Sequence, residues 1–267
     1  MPATVASPHG RAGVRGATMA AQTYAVESAI HTMQSHLPEA LTLEDLAAVA
    51  CLSPAHFSRV FRRLIGVPPI EYLTALRFQR ARQLLLLTSL KITDICFEVG
   101  FTSPGTFTSR FTQRVGLSPR QLRQRAQAFE PVPKSPDAQH VLNTKGTPGR
   151  SQLCGYVEAP TIFQGTIYVG LFDSPIPQGK PVCCTKIEAR GRYQLADVAD
   201  GVYYLRAAAF PLAPNLLAAL LPGEQLLLGN NPDPLLISQG RVIGDPNLTL
   251  HPPRLSDPPL VMGLPLL

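Results

Sequence analysis

The sequence predicts a multidomain chain: an all-α N-terminal domain with two helix-turn-helix units joined by a long helix, then an all-β sandwich as C-terminal domain. Three observations carry this prediction. The frame S-P-x-x-F-x-x-x-F occurs twice, as SPAHFSRVF at 53–61 and SPGTFTSRF at 103–111. Proline is unevenly spread, six in residues 22–128 and fifteen in 150–267, so the first half tolerates helix far better than the second. Beyond residue 150 the helical period gives way to short apolar/polar alternations separated by turn residues.

A length of 267 residues suits two domains with a core each. The net charge of +6 is concentrated in the first: residues 22–128 hold twelve Lys/Arg against seven Asp/Glu, and residues 150–267 hold eight against nine. Five cysteines without regular spacing exclude a disulfide framework and point to a reducing, cytoplasmic setting. The longest apolar runs, LLLL at 84–87 and LLAALL at 216–221, fall far short of the roughly 20 residues that span a bilayer. Residues 1–21 contain no apolar core of the kind a secretory leader needs. They are expected to be disordered, with Met19 a candidate start.

The first element is TLEDLAAVA at 42–50, where Thr42 and Asp45 form a capping-box pattern. Ser53 and Pro54 then start a second helix, the serine capping a free N–H and the proline occupying the first turn. Phe57, Val60, Phe61 and Leu64 make its buried stripe, and Ala55, Ser58, Arg59 and Arg62 project oppositely. Residues 69–87 form a long helix, apolar at Ile70, Leu73, Leu76, Ala81, Leu84 and Leu85, with a length of roughly 28 Å. A shift of fifty residues repeats the unit: Val49 on Val99, Ser53 on Ser103, Phe57 and Phe61 on Phe107 and Phe111, Gly66 on Gly116 and Pro69 on Pro119. ITDICFEVG at 92–100 is the matching first helix, with Gly100 suited to the turn. The repeat keeps what packs and varies what projects. Two such helices, held by a rod comparable with the roughly 34 Å between successive major grooves, could read two segments of one DNA site.

The segment 22–128 resembles the AraC-type DNA-binding domain of bacterial transcription regulators. The carrying motifs are L-x-x-L-A at 43–47, S-P-x-x-F-x-R-x-F at 53–61, G-V-P-P-x-x-Y at 66–72, R-x-x-x-A-x-x-L-L at 77–85, I-T-D-I-x-x-x-V-G-F at 92–101, and F-x-x-x-F through G-L-S-P at 107–119. The resemblance implies seven helices, double-stranded DNA and RNA polymerase as partners, a bacterial nucleoid setting, and scope for a small-molecule effector or a homodimer. The DNA-contacting set it implies here is Ser53, Ala55, His56, Ser58, Arg59, Arg62 and Arg63 in the first unit. In the second it is Ser103, Gly105, Thr106, Thr108, Ser109, Arg110, Thr112 and Arg114. Two positions depart from the pattern. Cys96 stands where alanine is usual, and Ser109 precedes Arg110 where arginine commonly comes first, leaving Gly105, Thr108, Ser109 and Thr112 as a short, uncharged base-facing set. Arg110 and Arg114 then sit at the phosphate margins.

Residues 129–149 read as a linker, rich in proline, glycine and charge. After it, QLCGYVEA, TIYVGLF, PVCCTKIE, RYQLADV, VYYLRAAAF, QLLLGN and NLTLH read as strands, with turns at PQGK 177–180, EARG 188–191 and Asp200-Gly201. The run from Gly191 to Leu205 resembles the carboxypeptidase regulatory-like, transthyretin-like sandwich, and PPRLSDPPLVMGLPLL reads as an extended tail.

No catalytic set, metal site or cofactor is expected. Cys183 and Cys184 are adjacent on one strand and point to opposite faces, so with Cys154 and His140 they make a poor metal or redox site. Cys51 and Cys96 read as structural, and one of Tyr203 and Tyr204 as core. The rival class is an enzyme: a DNA-binding domain fused to a cysteine-based repair or redox function, or a transthyretin-like hydrolase. The first calls for a cysteine cluster or Pro-Cys-His motif and the second for a Tyr-Arg-Gly-Ser ending; neither pattern occurs.

Overall fold

The computed structural model of the chain describes residues 9–127, 151–160, 163–211 and 226–262, with side chains from residue 18 onward. The linker at 129–149, with His140, and the apolar run at 216–221 lie outside the described residues.

Seven helices come first: α1 (His9–Ser35), α2 (Leu43–Val49), α3 (Pro54–Ile65), α4 (Pro69–Leu87), α5 (Ile92–Glu98), α6 (Pro104–Val115) and α7 (Pro119–Gln127). Val26, Ala29, Ile30 and Met33 of α1, spaced three and four apart, are fully buried. Residues 9–21, expected to belong to a disordered N-terminus, are helical as the first part of α1, and residues 1–8 lie outside the described residues. The stretch Ala17–Gln22 is alanine-rich and proline-free, so the helix nucleated by the buried stripe extends toward the N-terminus.

Aromatic contacts tie α4 to both units. Tyr72 meets Phe61 at 5.5 Å between centroids, and Phe61 meets Phe57 at 5.6 Å. Six residues on, Phe78 packs against Phe101 at 5.2 Å, Phe111 at 5.9 Å and Phe107 at 6.2 Å. Ile70, expected in the apolar stripe, is exposed, since Pro69 and Tyr72 take the inward positions. Arg77 donates to the Leu37 and Glu39 carbonyls, and Arg123 of α7 donates to those of Leu85, Thr88 and Leu90, satisfying oxygens at the end of α4.

The C-terminal region is β-rich: β1 (Ser151–Glu158), β2 (Gly165–Phe172), β3 (Cys183–Ile187), β4 (Gly191–Val198), β5 (Gly201–Pro211), β6 (Leu227–Asn230), β7 (Leu235–Ser238), β8 (Arg241–Ile243) and β9 (Leu248–Thr249). One sheet has the order β4-β1-β9 and the other β3-β2-β5-β7-β8, with β6 also pairing β5. Leu153, Val157, Tyr193 and Leu195 of the first share an apolar core with Ile167, Val169, Leu171, Leu205 and Leu235 of the second. The β7–β8 hairpin was not anticipated. Its signal is Gln239-Gly240, whose φ values of 49° and 77° make the two-residue turn that matches strand twist.

The β-rich region packs on the helices. Phe172, Ile176, Phe210, Leu260, Val261 and Met262 belong to the same apolar cluster as Phe57, Leu73 and Phe111. Residues 255–262 run along α4 in its own direction: Tyr72 Oη donates to the Leu255 carbonyl at 2.9 Å and the Asp257 carbonyl at 3.1 Å, and Arg82 Nη1 to Met262 at 2.6 Å. Arg82 is buried, and its Nε has no partner among the described residues. Burial pushes its pKa down to about 10, still far above neutrality, so its charge persists. The β2–β3 loop reaches the C-terminal ends of α3 and α6, where a Cβ on Gly66 would lie 3.3 Å from Pro175 and the Gly179 N–H donates to the Arg114 carbonyl.

Candidate nucleic-acid interface

Each recognition helix is fixed by the same local chemistry. The Ser53 and Ser103 hydroxyls accept from the His56 and Thr106 N–H groups, both at 3.4 Å, and Pro54 and Pro104 open the helices. Gly66 and Gly116, at φ 90° and 88°, close them in the left-handed conformation that a side chain disfavours. Phe57, Val60, Phe61 and Ile65 are the buried face of α3; Leu64, expected there, is only partly buried because Ile65 takes the inward place at the last turn. In α6 the buried residues are Phe107, Phe111 and Val115.

What remains outside is the candidate surface. On α3, Ala55, His56, Arg59, Arg62 and Arg63 are exposed and Ser58 partly so. Arg59 and Arg62 have no side-chain partner among the described residues and project as two long, charged donors. Arg63 turns away: its Nη2 donates to Gln22 Oε1 of α1 at 2.5 Å. On α6, Gly105, Thr106, Ser109, Arg110 and Thr112 are exposed and Thr108 partly so. The Thr112 hydroxyl donates to the Thr108 carbonyl, leaving its oxygen able to accept. Arg114 is occupied within the chain, with Nη1 2.7 Å from Gln178 Oε1 and 3.9 Å from Glu71 Oε1.

The two faces differ in side-chain length as well as charge. Pro104, Gly105, Thr108, Ser109, Thr112 and Gln113 make the open outer face of α6 mostly short and uncharged. Gln113 is the exposed residue that sequence reasoning missed. Its side chain can pair bidentately with an adenine edge, and its place one position beyond Thr112 on the helix face was the available signal.

The turns inside the two units also match, with a shift that sequence alignment concealed. Ala50 and Val99 are both buried; Cys51 and Gly100 follow, at φ 53° and 83°; Leu52 and Phe101 come next. The Leu52 N–H bonds to the Ala47 carbonyl as the Phe101 N–H bonds to that of Cys96, both at 3.0 Å. Up to this point the structural offset is 49 residues, and Thr102 is the extra residue that makes it fifty from Ser103 on. Val49 therefore does not match Val99, and it is exposed.

Residues 46–125 match the family model of a helix-turn-helix domain. The chain is 32% identical over 98 residues to the lactose operon transcription activator of Staphylococcus xylosus, an alignment covering 37% of this chain and 35% of that protein. It is also 32% identical over 98 residues to the bifunctional transcriptional activator/DNA repair enzyme AdaA of Bacillus subtilis, covering 37% and 46%. Among solved structures, a transcriptional regulator with an AraC-type DNA-binding domain from Chromobacterium violaceum is 32% identical, covering 42% of this chain and 99% of that one, with a TM-score of 0.39. The chain spans about a third to a half of the length of these curated relatives.

Proposed function

With residues 46–125 a helix-turn-helix domain of the AraC type, we propose that the chain is a sequence-specific DNA-binding transcription regulator whose two units engage adjacent major grooves. The observation that carries this reading is the pair of recognition helices, identically capped and braced by one 19-residue helix, each with a solvent-facing polar side. Arg59 reads a base edge, most simply guanine through a bidentate guanidinium, and Arg62 supplies a second long donor. Ser53, Ala55, His56, Ser58, Ser103, Thr106 and Arg110 lie against backbone or groove wall. Gly105, Thr108, Ser109 and Thr112 accept close approach of the duplex. Arg63 and Arg114, held by Gln22 and Gln178, brace the helices rather than reach DNA.

The β-rich region is read as a sandwich of the carboxypeptidase regulatory-like type, because side chains from two sheets share one core. It senses a ligand or contacts another protein, while RNA polymerase and a second copy of the chain are partners of the regulator in the cytoplasm. Binding-site selection with the full chain tests the reading. It should return two half-sites about one helical turn, roughly 10 bp, apart, the one under α3 more strongly specified. Recovery of no shared motif would overturn it.

A further inference from the structure

The outer face of the β4-β1 pair is not spent on packing. Inward residues Leu153, Val157, Tyr193 and Leu195 are buried, and the alternation of the strands turns their neighbours outward. Register sets Cys154 opposite Gln194 and Tyr156 opposite Arg192, giving two cross-strand rungs of polar and aromatic groups. Lys186 of β3 stands along one side. Asn247 stands along the other, its Oδ1 accepting from the Tyr156 N–H at 3.0 Å and its Nδ2 donating to Asp245 at 2.8 Å. Together these residues line a cleft of about 770 Å³, within the range of roughly 300–1,000 Å³ typical of small-molecule sites.

Its charge is out of keeping with its surroundings. Residues 150–267 carry more acidic than basic side chains, yet among the described residues the cleft lining holds Lys186 and Arg192 and no carboxylate, and Asp245, just behind it, is bonded to Asn247. Tyr156, 41% exposed, adds a large ring on the cross-strand rung it shares with Arg192. A planar ring would stack on Tyr156 while an attached carboxylate met Arg192 and Lys186, with Gln194 and Asn247 as polar neighbours.

We propose that this cleft binds a small aromatic carboxylate. The proposal rests on reading the β-rich region as a sensor, and it is separable from DNA binding because every lining residue lies outside the helical domain.

Cys154 is exposed inside the cleft and serves as the reporter. The full chain is labelled with 5,5′-dithiobis(2-nitrobenzoate), a dianionic aromatic disulfide, and with neutral 4,4′-dithiodipyridine, and the rate at Cys154 is followed by peptide mass spectrometry. The anionic-to-neutral rate ratio, normalised to N-acetylcysteinamide, should exceed one by about tenfold and fall with added salt. Lys186→Gln with Arg192→Gln should bring it to about one, and millimolar benzoate should slow labelling of Cys154 in the unaltered chain. A ratio of one at the outset, no response to the double substitution, or no protection by benzoate each overturns the proposal. DNA affinity, measured on the same double variant, should be unchanged; its loss would count against the separation of the two sites, whereas failure of the cleft alone leaves the DNA reading standing.

Discussion

Two residues show how the same backbone demand is met unequally. Gly100 and Cys51 occupy equivalent turn positions at φ 83° and 53°, but only glycine adopts that conformation without a Cβ clash. Relief of roughly 1–2 kcal/mol of left-handed strain, less roughly 0.5–1 kcal/mol for the greater unfolded-state freedom of glycine, gives Cys51→Gly a net stabilisation of about 0.5–1 kcal/mol. Urea unfolding of the two proteins reads this as a raised midpoint with an unchanged slope. The reverse change at Gly100 is far worse, since a Cβ there would come 2.7 Å from the Leu37 carbonyl oxygen. Arg82 is a second case. One bond to the Met262 carbonyl poorly offsets the burial of a charge, so Arg82→Met should leave the melting temperature unchanged or raise it. A drop of several degrees would mean that the guanidinium is better solvated than its burial indicates. At Arg59 the expected loss on substitution by alanine is roughly 1–3 kcal/mol at its cognate base pair, with relaxed selectivity there, read by titrating matched and mismatched duplexes. A uniform loss over all sequences would make it a phosphate clamp instead.

Among the elements, those with a local signal were legible. The S-P caps, the glycine closures, the capping box of α2 and the bounds of α4 all follow from residues within one or two turns of each boundary. What escaped depends on distant chain. The α4 stripe blurs because both of its sides are covered, one by the helical units and one by residues 255–262, so no polar face marks its outside. Arg63 and Arg114 looked like solvated donors until their partners, Gln22 and Gln178, came from 41 and 64 residues away. The one-residue insertion at Thr102 was hidden because Val49 happens to share its identity with Val99. The cap prediction is correspondingly local: Ser53→Ala and Ser103→Ala should each cost about 0.5–1 kcal/mol, toward the low end given bonds of 3.4 Å, by denaturant titration. Base readout should be asymmetric. Alanine at Ser58 and Arg59 flattens the strong half of a selected motif, whereas alanine at Thr108 and Ser109 leaves it nearly intact. The opposite result would assign the reading to hydroxyl contacts or DNA shape under α6.

At the scale of the whole molecule, charge and packing divide differently. The excess of basic residues lies in 22–128, so that fragment is expected to retain DNA affinity in a gel-shift titration while 150–267 has none, with binding falling about 0.9 log unit per log salt for each phosphate contact. Equal affinity of the two fragments would refute the reading. The isolated helical fragment should nevertheless melt below the full chain, because it exposes the side of α4 that Leu260, Val261 and Met262 cover. That cover has a consequence for how the protein is made. A ribosome delivers α4 long before it delivers residue 262, and at about 5–20 residues per second the interval after residue 127 is roughly 7–27 s. Throughout it the nascent helical domain carries an apolar flank around Tyr72 that residues 255–262 have yet to cover, so slower translation through the β-rich half is expected to prolong that exposure.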